Sequence, residues 1–190
     1  MLANKAIPSD KAAASVDFGS DFKSGAKGGG VFHFKCFDKD GNLKWEDKAH
    51  NLVVNEGLED MNDKYFSGSA YTATWFLGLI NNSPSPSYAA GDTLASHAGW
   101  VETTDYAGNR KAVTFGAATS ADPSVIDNSG SPAQFVMNGT VTVAGAFLAS
   151  VDTGTSGILF SESTFQSPGA RAVVSGDTLN VTYEFSLDAA

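Results

Sequence analysis

The segment DTLNVTYEFSL, residues 177–187, constrains this chain more than any other. Leu179, Val181, Tyr183, Phe185 and Leu187 fall on one side of an extended backbone, and Asn180, Thr182, Glu184 and Ser186 on the other. A period of two over so many residues specifies a half-buried strand of an antiparallel sheet, with one face on a core and the other toward water. A strand of that kind needs partners, and the rest of the sequence offers them.

VFHFKCF (31–37) and the region around LKWED (43–47) flank DKDGN, a glycine-containing hairpin signal. TATWFLGLI (72–80) is almost continuously apolar and suits a central strand. NNSPSPSYAAGD (81–92) follows as a polar loop whose prolines forbid ladder pairing. WVETTDY and KAVTF read as a hairpin across Ala107-Gly108-Asn109, ADPSVIDNSGSP (121–132) as a long loop, and FVMNGTVTVAGAFLAS and GILFSES as further strands. GDTL occurs at Gly91 and again at Gly176, and both copies read as a turn opening a strand rather than as a repeat. Short strands separated by turn signals predict an all-β fold: an antiparallel β-sandwich, of jelly-roll type. At 190 residues the chain suits one domain, long enough to bury a core without covalent staples.

One stretch breaks the pattern. In NLVVNEGLEDMNDKYFSG (51–68) Asn55 is placed to cap a short α-helix over about residues 56–66. Glu56, Glu59 and Asp60 lie near the positive end of its dipole, and Gly68 offers a left-handed stop. Leu58, Met61 and Tyr65 at i, i+3 and i+7 form the apolar stripe expected to lie on the sheet and close the sandwich.

Residues 1–30 show neither period and end in GAKGGG, which reads as a hinge. The expected division is a flexible N-terminal arm over 1–30 and a β-sandwich domain over 31–190. Phe18 and Phe22, the arm's only aromatic residues, are its candidate partner-binding anchors. The glycine cluster lacks the Gly-Lys-Ser/Thr ending of a phosphate loop.

Charge narrows the function. The formal net charge is −9, and beyond residue 66 Arg110, Lys111 and Arg171 are the only basic residues among ten acids. Nucleic-acid binding requires clustered Lys and Arg, so no nucleic-acid partner is expected. No apolar run approaches a membrane span and no signal pattern opens the chain, so no membrane association is expected and folding is assigned to a cytosol. Cys36 is the single cysteine, on the apolar side of its strand, and reads as a buried, inert thiol.

Catalytic patterns are weak. His33, His50 and His97 form no ligand pair, and the oxygen-rich Asp38–Asn42 run lacks the twelfth-position carboxylate and flanking helices of a calcium loop. His97 has Asp92 and Asp105 nearby in sequence, without a nucleophile elbow. Trp75 reads as core, whereas Trp45 and Trp100 are open to a sugar-stacking role. No catalytic, cofactor or metal residue is assigned, and the chain is expected not to be an enzyme.

The order of segments carries a resemblance. NLVVNEGLEDMND after the first hairpin, then TATWFLGLI, then AAGDTLASHAGWVETTDY, and finally AFLAS, GILFSES and FQSPGARAVVSGDTLNVTYEFSL resemble a family of small tailed-bacteriophage virion structural proteins. The likeness covers roughly residues 30–188 and rests on hydrophobic pattern and turn chemistry. It implies a capsid decoration, or cement, protein made in the host bacterial cytoplasm and placed on the capsid exterior. Its partners would be the major capsid protein and itself, as a dimer or trimer, with no cofactor. The alternatives are a tail, connector or fibre-base component, or a carbohydrate- or receptor-binding module displayed on the particle.

Overall fold

The computed structural model of the chain describes residues 26–71, 74–165 and 169–189. Strand β1 (Ala26–Phe37) and strand β2 (Leu43–His50) form the expected hairpin. Its turn is held by Asp38, whose Oδ1 accepts the amides of Asp40 and Asn42, with Gly41 at φ +83°. A two-residue strand β3 (Leu52–Val53) leads into helix α1 (Asn55–Tyr65), and strand β4 (Trp75–Asn81) follows. Then come β5 (Val101–Thr103), β6 (Lys111–Val113), β7 (Ser124–Asp127), β8 (Ala133–Val136), β9 (Val141–Ala149), β10 (Leu159–Thr164), β11 (Arg171–Val173) and β12 (Thr178–Ala189).

The strands form two antiparallel sheets. The first runs β2-β1-β12-β7, with β8 also on β12; the second runs β3-β10-β9-β4-β5, with β11 on β9 and β6 on β4. Between them lies a core of Phe32, Phe34, Leu77, Leu79, Phe135, Leu148, Leu179, Val181 and Tyr183, all 2% exposed or less. The alternation of β12 holds through Phe185, which packs on this core, while Leu187 is 39% exposed where the strand runs out beside Gly28. The all-β sandwich with one helix is therefore observed among the described residues.

The second sheet is buried on both faces. Ile80, Ala144, Phe147, Ala149 and Leu159 point away from the first sheet into a second apolar cluster, completed by Leu94 and Trp100 from the segment 82–100. The polar loop of the sequence reading is thus a cover. It is fastened by Asn55 N–H to the Ala90 carbonyl, by Leu94 N–H to Glu56 and by the Tyr88 hydroxyl to the Ser163 carbonyl. Leu94 and Trp100 supply the apolar surface that the polar composition of this segment hides.

Several expectations are corrected. The glycine run is not a hinge: Gly28, Gly29 and Gly30 lie inside β1, paired with Leu187, Ser186 and Phe185. Strand pairing among the described residues therefore already includes Ala26–Gly30, ahead of Val31. A side chain at Gly30 would meet the Glu184 carbonyl at 2.5 Å and the Tyr183 hydroxyl at 3.0 Å, so glycine is required by close packing here. The predicted 100–115 hairpin is also absent. β5 and β6 both pair with β4, end to end along one edge. Between them the chain crosses to the other sheet, where Tyr106 bridges Met137 and Ala107 N–H reaches the Val136 carbonyl. The 121–132 loop contains β7, which pairs with β12 from Glu184 to Leu187.

Candidate contact surface

Helix α1 does not present the stripe that its hydrophobic spacing predicts. Its buried residues are Gly57 and Asp60, with Met61 half-buried against the main core and Lys64 half-buried beside Asp60 at 3.2 Å. These four residues follow the i, i+3, i+4, i+7 spacing of one helix face, but only Met61 is a large hydrophobe. Gly57 decides the seating. A Cβ there would lie 2.4 Å from the Phe160 carbonyl oxygen, so the helix backbone sits directly on β10. Glu56 fixes the first turn by accepting amides from Leu94 and Leu159. Asn55 is the first helical residue, preceded by Val54, and no side chain caps the helix start. The C-terminal stop is as expected: Phe66 and Ser67 donate to the Asn62 and Asp63 carbonyls, and Gly68 adopts φ +68°.

The consequence is an outward-facing apolar group. Leu58 is 46% exposed and Tyr65 83% exposed, on the flank of the helix beside Met61. Phe66 is 79% exposed and meets Tyr65 edge-on, ring centroids 4.9 Å apart, and Tyr71 is also 79% exposed. Single exposed apolar residues are ordinary, but two large exposed aromatic rings in mutual contact make a candidate contact surface among the described residues. Tyr and Phe are the side chains that contribute most buried area for least lost rotamer freedom at an interface. The spacing of Leu58 and Tyr65 was legible in the sequence. Its direction was not, because a glycine and an aspartate form the buried face.

The other residues singled out by sequence are dispersed. Phe18 and Phe22 lie outside the described residues. His97 stacks on Trp100 at 3.8 Å between centroids, while Asp105 is engaged by Thr103 at 2.9 Å. His33 is half-buried in β1 and His50 is exposed. Among the described residues no group of three or more His, Cys, Asp or Glu gathers as a metal site. The oxygens of Asp38 are occupied by the turn, whose hydrogen bonds from Asn42 hold its carboxyl below the usual range.

Trp100 is 2% exposed in the second cluster and cannot stack on a sugar. Trp75 and Trp45 both pack on the main core, Trp45 edge-on to Phe165 with Arg171 above it. Cys36 is fully buried, and desolvation together with nearby Asp177 pushes its thiol up to about 11. No helix among the described residues is long and apolar enough to cross a membrane. No protein-family model, curated protein or solved structure matches the chain.

Proposed function

We propose that this protein is a bacteriophage virion structural protein that binds the outside of the capsid as a decoration or cement protein and stabilises the head. The observation that carries the reading is the exposed Tyr65–Phe66 pair at the end of α1, set on a sandwich by a helix whose backbone is pinned at Gly57. A cement protein bridges subunits that are already folded, so it requires a rigid body and a projecting anchor that fills a groove on its partner. Many such weak contacts, repeated over a shell, add by avidity.

The order of hydrophobic and turn segments over residues 30–188, with its likeness to small tailed-phage virion proteins, supports the same reading. The proposed partners are the major capsid protein and further copies of this chain, as a dimer or trimer about a symmetry axis. The pairing of the first and last strands, β1 with β12, suits a jelly-roll winding, and that finer description of the fold belongs to the proposal.

The test is a reconstruction of the phage particle together with the copy number of this chain. The expected result is density for the sandwich on the outer shell, in numbers comparable with the capsid subunits and with Tyr65 and Phe66 at a contact. Location in the tail or connector, or absence from the particle, overturns the reading.

A further inference from the structure

Glu162 lies on β10 with 0% exposure, yet no cation among the described residues pairs with it. Its Oε2 accepts the Trp100 indole N–H at 2.7 Å, whereas its Oε1 is buried without a well-aligned donor among the described residues, the nearby Ala89 amide being turned to Asp92 Oδ2 at 3.2 Å. A buried carboxylate oxygen without a donor is costly, and such a group neutralises itself instead. Within hydrogen-bonding reach is the carboxyl of Asp92, on the 82–100 cover. Two carboxyl groups facing each other satisfy both when one of them carries a proton.

We propose that Glu162 is protonated in the folded chain and donates that proton to Asp92, so that one shared proton latches the 82–100 cover onto the second sheet and its loss lets the cover open.

The surroundings favour the proton. From the cover, Asp92 and Tyr88 face Glu162, and His97 lies one ring away, stacked on Trp100 with Nδ1 at the Trp100 carbonyl. From α1 comes another acid, Glu56, occupied by the Leu94 and Leu159 amides. Just before β6, the described residue Arg110 lies over the Phe147 ring and is bound in fork geometry to Glu102 at 2.9 and 2.7 Å. A calcium ion would require about six to eight oxygen ligands, and two carboxyl groups do not supply them. Burial first, and then the Asp92 charge, raise the Glu162 carboxyl from its ordinary 4.5 to about 8.

The sign of the effect follows. Below 4.5 both closed and open forms carry the proton, and the latch is at full strength. Between 4.5 and about 8 only the closed form retains it, so rising pH progressively favours opening. Above about 8 both forms are ionised and the effect levels off. Glu162 therefore makes the cover strongest in acid, opposite to the usual behaviour of paired carboxylates.

Hydrogen exchange of the Trp100 indole and the Leu94 amide, corrected for intrinsic exchange chemistry, reads the opening directly. In the full chain, the opening constant should rise about tenfold per pH unit between roughly pH 5 and 8 and then plateau. In Glu162→Gln the amide donates to Asp92 and its carbonyl accepts from Trp100, so opening should be independent of pH. His97→Ala should retain the wild-type slope. A flat wild-type profile, a slope that persists in Glu162→Gln, a slope lost in His97→Ala, or a slope removed by added calcium each overturns the proposal. If Glu162→Gln does not fold, the carboxyl carbon resonance of Glu162 in the unmodified protein decides. A midpoint near 8 supports the latch, and one near 4.5 refutes it.

Discussion

Gly57 is the residue whose role is most sharply determined by its lack of a side chain. In an exposed helix interior, Gly→Ala stabilises by about 1 kcal/mol because it removes backbone freedom from the unfolded chain. Here the added methyl would meet the Phe160 carbonyl oxygen, and backbone cannot rotate away. Gly57→Ala should therefore destabilise by about 1–3 kcal/mol, and in a chain of this size each kcal/mol lowers Tm by about 2–4 °C. A thermal melt showing a stabilised variant would mean that the helix does not sit directly on β10. Two aspartates show how one local motif acquires different chemistry. In both GDTL copies the aspartate N–H bonds back three residues, to the Ala89 or Val174 carbonyl, while its carboxylate takes that residue's amide. The turn reading of the repeat therefore holds, but only the Gly176 copy opens a strand, β12, whereas the Gly91 copy runs on into the cover. The free reach of the carboxylate then meets Lys44 at Asp177, 2.5 Å away, but Glu162 at Asp92. Beside the first of these, Cys36 is sealed and its thiol raised to about 11, so at about pH 8 a thiol reagent should label native protein negligibly and label it fully on unfolding. Rapid labelling of native protein would contradict the burial.

At the scale of elements, what was legible in the sequence was whatever hydrophobic alternation alone decides. β12 and the β1–β2 hairpin are of that kind, because one face is apolar and the turn has a named chemistry. β7 was hidden: Ser124–Asp127 is half-buried throughout, so it has no buried-and-exposed alternation and is held by pairing with β12. The path from β5 to β6 was hidden because Tyr106 is drawn into the main core at 3% exposure, a long-range contact that no local turn signal encodes. For α1 the existence and the end were legible, and the orientation was not, since Gly57 and Asp60 define its buried side. The exposure of Tyr65 and Phe66 yields a prediction. Replacing Tyr65 and Phe66 together by Ser should change stability by no more than about 0.5 kcal/mol per site, as expected for solvent-exposed residues. The same variant should weaken attachment to particles at least about tenfold, or about 1.4 kcal/mol. Sedimentation of purified shells with the variant measures the second quantity. Undiminished binding would remove the aromatic pair from the proposed attachment surface.

For the whole molecule, the informative question is where the self-sufficient body starts and what the residues before it contribute. Pairing among the described residues begins at Ala26, opposite Ala189, and includes the Gly30–Asn51 contact, in which the Gly30 amide donates to Asn51 Oδ1 at 2.6 Å and the Asn51 amide returns to the Gly30 carbonyl at 2.9 Å. Removing residues 1–25 deletes none of these bonds, so the truncated chain should melt close to the full one. Removing residues 1–30 takes the first five residues of β1 and leaves the half-buried Asn51 side chain short of its partner, a loss of about 1–3 kcal/mol. The pair of truncations thus locates the edge of the body independently of function. Particle binding then assigns the rest. If residues 1–25, with Phe18 and Phe22, reach across a neighbouring subunit, the shorter truncation should bind shells at least about tenfold more weakly at unchanged melting temperature. Equal binding by the truncated and full chains would leave attachment to the sandwich and its helix alone.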